Sequence, residues 1–219
     1  MAKHLKHWFK LQNSSITLLT WNRNQDISKL QSFLQTKPLV WLAISDSSLV
    51  EFYESNLAKC GLATVHFSGA LHDTRMMSAH PLMSFPDKLF EDSFYQEIHF
   101  VISNCESLQQ ALPGFENNFS SVSIEHKALY HALCVIAGNF PQLLWNEVFK
   151  EAHKLKIPEH AFEIYIKKIT ENFIDLKSGA LTGPLVRKDK VTIQKNIQSL
   201  AESLKLQNIY RTFAKEFES

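Results

Sequence analysis

Lys127 and His131 stand four residues apart in a stretch of helical character. In a helix that spacing projects both side chains from one face. A lysine so placed stabilises a developing alkoxide as an ammonium, or gives up its proton when withdrawn from water. The neighbouring histidine titrates near neutrality and serves as acid or base. Asn139 follows on the same stretch, turned by about 120° at about 3.6 residues per turn. It joins the pair only near a helix end, where Gly138 and Pro141 permit a bend, and there it would orient a substrate oxygen. Packing is the competing reading. Tyr130, His131, Cys134 and Val135 also make a helix-packing stripe, and a lysine at a helix start is commonly solvated.

Further polar residues lie downstream. Thr182 precedes Gly183-Pro184, which reads as a sharp turn. Arg187 suits a substrate carboxylate or phosphate, or an ion pair with Glu171 or Asp189. Asp189 is a natural N-cap for the helix after it, with Thr192 in the first turn. The ten histidines form no recognisable ligand set. His4 and His7 share a helix face without a third ligand, and Pro158 separates His153 from His160, so no bound metal is expected. Cys60, Cys105 and Cys134 are odd in number and far apart. That excludes a disulfide framework and fits a reducing cytoplasm.

The elements that must hold these residues change character along the chain. Residues 3–12 have helical periodicity through Leu5, Trp8, Phe9 and Leu11. Asn13-Ser14-Ser15 reads as a turn. Ile16–Trp21 and Leu39–Ile44 are apolar runs expected to be buried strands, followed by Thr64–Phe67 and Ile98–Ile102. Helices are expected at 27–35 and about 48–60. Strands that are apolar throughout, alternating with helices, indicate a mainly parallel sheet covered on both faces. From about residue 120 helices dominate, near 122–138, 141–156, 158–177, 189–205 and 206–218. The expected division is therefore 1–120, a Rossmann-like domain, and 121–219, an all-helical domain. The 219 residues are 45% hydrophobic and 21% charged, with a formal net charge of +1. This composition supports a packed core and gives no basic field for nucleic acid. No apolar run is long enough for a membrane span, and no signal peptide opens the chain.

In open α/β sheets, ligands bind beyond the C-terminal ends of the strands. Four such ends are expected, at Asn22-Arg23, Ser45-Asp46, Ser68-Gly69-Ala70 and the loop around His80-Pro81. Arginine after the strand that follows the first helix suits a 2′-phosphate, where an acid would suit a free ribose hydroxyl. Arg23 thus favours NADP over NAD, unless it is simply a solvated turn residue. No GxGxxG or GxxxxGK[ST] occurs, and the first of only six glycines is Gly61. Helix 3–12 takes the place of the first crossover helix. The chain reads as if it starts just after the glycine turn, so a truncated Rossmann-like sheet is expected. A missing central strand would call for a replacement such as dimerisation.

Several segments carry a family resemblance. They are Leu42-Ala43-Ile44-Ser45-Asp46, Val65-His66-Phe67-Ser68-Gly69-Ala70-Leu71 and Ala79-His80-Pro81-Leu82-Met83-Ser84-Phe85. In the second half they are Lys127–Ala132, Gly138-Asn139-Phe140, Thr170-Glu171-Asn172 and Ala180–Asp189. In order and spacing these resemble a bacterial family of Rossmann-like oxidoreductases with a C-terminal helical domain of unknown function. The wider group includes pyrroline-5-carboxylate reductase, ketopantoate reductase and 6-phosphogluconate dehydrogenase. The resemblance implies an NADP-binding N-terminal domain and a helical domain that pairs two subunits. It implies Ser68, Gly69, His80 and Pro81 beside the nicotinamide, faced by Lys127, His131 and Asn139. Phe67 departs from the small polar residue common at that position.

Together these readings give an expected NADP-dependent oxidoreductase, a cytoplasmic homodimer, moving hydride to or from a small carbonyl or imine. Its expected catalytic residues are Lys127, His131 and Asn139. The expected cofactor contacts are Asn22, Arg23, Ser45, Asp46, Ser68, Gly69, His80 and Pro81, and the expected substrate contacts are Thr182 and Arg187. The alternative is a non-catalytic binding or dimerisation protein on the same fold.

Overall fold

The computed structural model describes residues 1–12 and 15–217. The turn expected at Asn13-Ser14 lies outside the described residues. The elements run α1 (Ala2–Leu11), α2 (Ile27–Gln35), β1 (Val40–Leu42), α3 (Asp46–Asn56), β2 (Thr64–His66), β3 (Met77–Pro81), α4 (Phe94–Glu97), β4 (Phe100–Ser103), α5 (Leu108–Ala111) and β5 (Phe119–Ser121). After them come α6 (Lys127–Cys134), α7 (Phe140–Lys154), α8 (Glu159–Leu176), α9 (Lys190–Ser199) and α10 (Leu204–Phe217). The chain forms two compact units, Met1–Asn139 and Phe140–Ser219. Helix α6, with Lys127 and His131, thus belongs to the first unit.

The sheet order is β1-β2-β3-β4-β5. Pairing is parallel except between β3 and β4, where Ser78 faces Ser103 and Pro81 faces Phe100 in antiparallel register. Every residue of β2 and β4 is buried, as strands covered on both faces must be. The fold is the expected mixed α/β sheet followed by a helical region. Helix α1 buries His4, Leu5, Trp8 and Phe9 on one side. Trp8 packs against Tyr95, Phe100 and Phe115 at ring-centroid distances of 4.9–5.4 Å. Aromatic packing of this kind supplies much of the buried area in a core. A second cluster joins Leu42, Leu49, Tyr53, Leu57 and Met76 beneath α3.

Two strand expectations are corrected. Residues 15–22 form neither helix nor strand, and Leu19 is 48% exposed. Apolar, β-branched composition makes a strand only when a neighbouring edge supplies a ladder, and Ile16–Trp21 joins none of the four ladders. Conversely, His80-Pro81 ends a strand and does not lie in a loop. Proline is tolerated at this terminal position of β3.

In the second unit, α9 and α10 enclose a small core of Ile193, Ile197 and Ala214 with Leu185 and Tyr210. Asp189 caps α9, its carboxylate accepting from the Thr192 amide at 3.0 Å. Helix α8 has no buried residue.

Candidate active site

The C-terminal ends of β1 and β2, the start of β3 and the first turn of α6 converge on a buried polar cluster. Lys127 is 2% exposed. Its Nζ donates to the Ser68 carbonyl at 3.1 Å and to Ser78 Oγ. Ser78 Oγ donates in turn to the Ser68 carbonyl. Burial pushes the Lys127 ammonium down to about 8, against a partial restoring pull from Asp46. Both hydrogen-bond acceptors are uncharged, so the cation is held without direct neutralisation. Ser68 Oγ donates to Asp46 Oδ2 at 2.5 Å and accepts from the amides of Ala70 and Leu71. That hydroxyl therefore ties α3 to the turn after β2. The Ser68 amide donates to His66 Nδ1 at 3.2 Å. Burial, then the Lys127 charge, lowers His66 to about 4.

Gly69 sits beside two imidazoles. A methyl group there would lie 3.0 Å from His131 Cδ2 and 3.1 Å from His80 Nε2. A Cβ here would have to push both rings back by a few tenths of an ångström. His80 Nδ1 and Tyr130 Oη are 2.6 Å apart. Burial and the nearby Lys127 lower His80 to about 4. Burial raises the Tyr130 phenol well above its ordinary value, as does its hydrogen bond with Cys134. Cys105 Sγ lies 3.9 Å from the Ser78 carbonyl, and burial raises its pKa.

Of the residues singled out from sequence, Asp46, Ser68, Gly69, His80, Lys127 and His131 are drawn together here. Pro81 lies next to His80 in β3, and its buried ring closes the strand end. Ser45 is the N-cap residue of α3, and its Oγ lies 3.1 Å from Ser48 Oγ. Asn22 and Arg23 form an exposed turn. The Asn22 carboxamide accepts from the Asn24 amide, and no strand precedes Arg23. The premise that placed Arg23 at a strand end is therefore withdrawn. Asn139 is exposed at the end of a π-helical turn, Val135–Asn139, leading to Pro141. A π-turn accommodates the backbone donor that proline lacks. Thr182 and Arg187 belong to the second unit, where the Arg187 amide donates to the Gly183 carbonyl.

Ser78, His66 and Tyr130 were not read from sequence as site residues. In a strand, positions 78 and 80 share a face. Recognising β3 would have paired Ser78 with His80, and Tyr130 follows Lys127 by three residues on the helix. Among the described residues, no group of three or more His, Cys, Asp or Glu is placed to hold a metal. No helix among them is long and apolar enough to cross a membrane.

A dinucleotide makes two demands on this fold. At its nicotinamide end the residues fit, because Gly69 opens backbone space at the strand ends between polar side chains. At its pyrophosphate end, the sequence holds no GxGxxG motif of the kind whose amides bind phosphate.

No curated protein matches the chain. Among solved structures, a Bacteroides fragilis protein named provisionally as an NADP oxidoreductase is similar with a TM-score of 0.74 at 16% identity, over 99% of this chain and 93% of that one. A Thermotoga maritima protein is similar with a TM-score of 0.65 at 18% identity, over 88% and 86% of the two chains. At such identities the likeness establishes the Rossmann-like fold. The profile of the DUF2520 family, a domain of unknown function, matches residues 102–217, just over half of the chain and including the whole of α6. The chain belongs to the DUF2520 family.

Proposed function

We propose that the chain is an NADP-dependent oxidoreductase acting on a small carbonyl or imine, with Lys127 meeting the substrate oxygen or nitrogen. The observation carrying this reading is a buried ammonium at the strand ends whose two hydrogen bonds go to uncharged acceptors. A buried cation without a counter-ion is costly. That cost is offset when negative charge develops beside it, as it does on an oxygen during carbonyl reduction. A bound nicotinamide would supply the hydride. Ser45, Asp46, Ser68, Gly69, His80 and Pro81 would hold its ring end. Lys127, lowered to about 8, is mostly protonated at neutral pH and transfers its proton without a large penalty. The proton passes from Nζ to the oxygen as the alcohol forms. His131 stands beside Lys127 on the same helix face as the second acid–base group. The fold's likeness to a protein provisionally named an NADP oxidoreductase supports the cofactor assignment.

The test is NADPH oxidation over a panel of small 2-oxo acids, aldehydes and cyclic imines. Lys127→Met is expected to lower turnover 100-fold or more, within the range of a lost acid–base group, while NADPH affinity is kept. Unchanged turnover would remove Lys127 from the chemistry.

A second reading, a non-catalytic binding protein, is favoured by the missing glycine-rich turn. Failure of the chain to bind either nicotinamide nucleotide would select it.

We further propose self-association through α8. On that helix Tyr165, Ile169, Phe173 and Leu176 share one face and are 40–61% exposed.

A further inference from the structure

His80 has a bond network that the proposed hydride chemistry leaves unused. Its Nδ1 is 2.6 Å from Tyr130 Oη, with the rings edge to face at 5.6 Å. Burial raises the Tyr130 phenol well above its ordinary value, so it keeps the proton it can donate. A phenol is the stronger donor of the two groups and an imidazole nitrogen the stronger acceptor. The short contact is therefore O–H donating to N. With Nδ1 accepting, the ring proton sits on Nε2. That atom lies 3.1 Å from the position a Cβ on Gly69 would take, at the end of the parallel strands.

We infer that Tyr130 fixes His80 in the Nε2–H tautomer, making it a hydrogen-bond donor for a carbonyl oxygen at Gly69. His80 is a catalytic residue on this reading, and Tyr130 is a positioning residue. The inference deepens the proposed reductase function and rests on it. It names a substrate class with a hydrogen-bond-accepting oxygen, polarised by His80 while Lys127 supplies the proton. Most groups facing the imidazole keep it neutral. Lys127 and His131 from α6 and His66 from β2 oppose a further positive charge, and Asp46 from α3 pulls only weakly the other way. An imidazole that stays neutral donates one hydrogen bond without surrendering its proton, so it polarises an oxygen without competing with the acid.

The experiment is a long-range proton–nitrogen NMR spectrum of the full chain labelled in its histidines, with the His80 signals assigned by their loss in His80→Gln. The expected result is a pyrrole-like Nε2 and a pyridine-like Nδ1, unchanged from about pH 8 down to about pH 5, where an ordinary histidine would have protonated. Tyr130→Phe should lower the tautomer ratio at His80 roughly fivefold or more, the effect of one lost hydrogen bond. It should also move the titration of His80 upward. A protonated Nδ1 in the unsubstituted chain overturns the inference without any variant. A tautomer ratio unmoved by Tyr130→Phe removes Tyr130 from the positioning role. The spectrum needs no cofactor or substrate. A chain that binds no NADPH yet shows the Nε2–H form would therefore sink the reductase reading while leaving the fixed donor in place.

Discussion

The two halves of the molecule handle apolar and polar surface in opposite ways. Residues Met1–Asn139 bury large aromatic and aliphatic side chains and take hydrogen-bonded polar groups in with them. His4 bonds to Tyr95 and Pro86, Ser68 to Asp46, and Lys127 to Ser68 and Ser78. Among the described residues of Phe140–Ser219, the buried apolar side chains are only Ala152, Ile193, Ile197 and Ala214. Leu143, Ile164, Tyr165, Phe173 and Leu176 are all more than half exposed. A polar group enters a core only where its hydrogen bonds are met, so the first half has spent packing energy on a specific constellation. A broad apolar face left in water marks a surface built to meet another. The proposed chemistry and the proposed self-association therefore fall in different halves.

The sharpest way to break this division is at Lys127. Lys127→Met should abolish measurable turnover and yet raise stability by about 1–4 kcal/mol in urea unfolding at neutral pH, because an unneutralised buried charge is replaced by an apolar chain. A lysine lowered from 10.5 to about 8 imposes its folding cost fully below pH 8. That cost is relieved as pH rises from 8 towards 10.5, so the unsubstituted chain gains stability across this window and Lys127→Met does not. A destabilised variant would show that the lysine is structural. On the other half, Phe173→Glu should weaken self-association about 100-fold or more in sedimentation equilibrium while leaving nicotinamide binding unaltered. A chain that is monomeric throughout would leave α8 without its proposed partner.

His66 gives the next effect. Its value falls from 6.5 to about 4 on folding, so below pH 6.5 the unfolded chain takes up a proton that the folded chain refuses. Stability is intact above pH 6.5 and is lost as pH falls towards 4, by at most about 3 kcal/mol from this residue. His66→Gln should flatten that part of the pH profile, and an unchanged slope would contradict the assignment. Gly69→Ala should cost about 1–3 kcal/mol in thermal or urea unfolding, since the methyl meets two imidazoles. The smallest effect is expected at Arg23. Arg23→Ala should weaken NADPH more than NADH by a factor of a few, and equal affinities would detach this turn from the 2′-phosphate.

The same physics explains what the sequence could reveal. Helices α1 and α2 were legible because their apolar residues recur at helical spacing and Asp26 caps α2. Strand β1 was legible as part of a continuous apolar run, and β2 through its β-branched Thr64 and Val65 beside the apolar Phe67. Ile16–Trp21 has the same composition and forms no strand, since a ladder partner is a property of the assembled sheet and not of the segment. Strand β3 was missed for the converse reason. Met77–Pro81 carries serine, histidine and proline, which read as a loop, and its pairing with both β2 and β4 overrides that local preference. Lys127 and His131 were legible through their spacing. Ser78 and His66 were not, because their importance comes from a lysine about fifty residues away along the chain.

The most direct test of the central claim is a titration of the full chain with NADPH and NADH, following nicotinamide fluorescence, repeated with Lys127→Met. The predicted result is saturable binding with a preference for NADPH, retained in the variant. Binding of neither nucleotide would contradict a nicotinamide site at the strand ends, and a variant that loses binding would make Lys127 part of the cofactor's cradle instead of the substrate's acid.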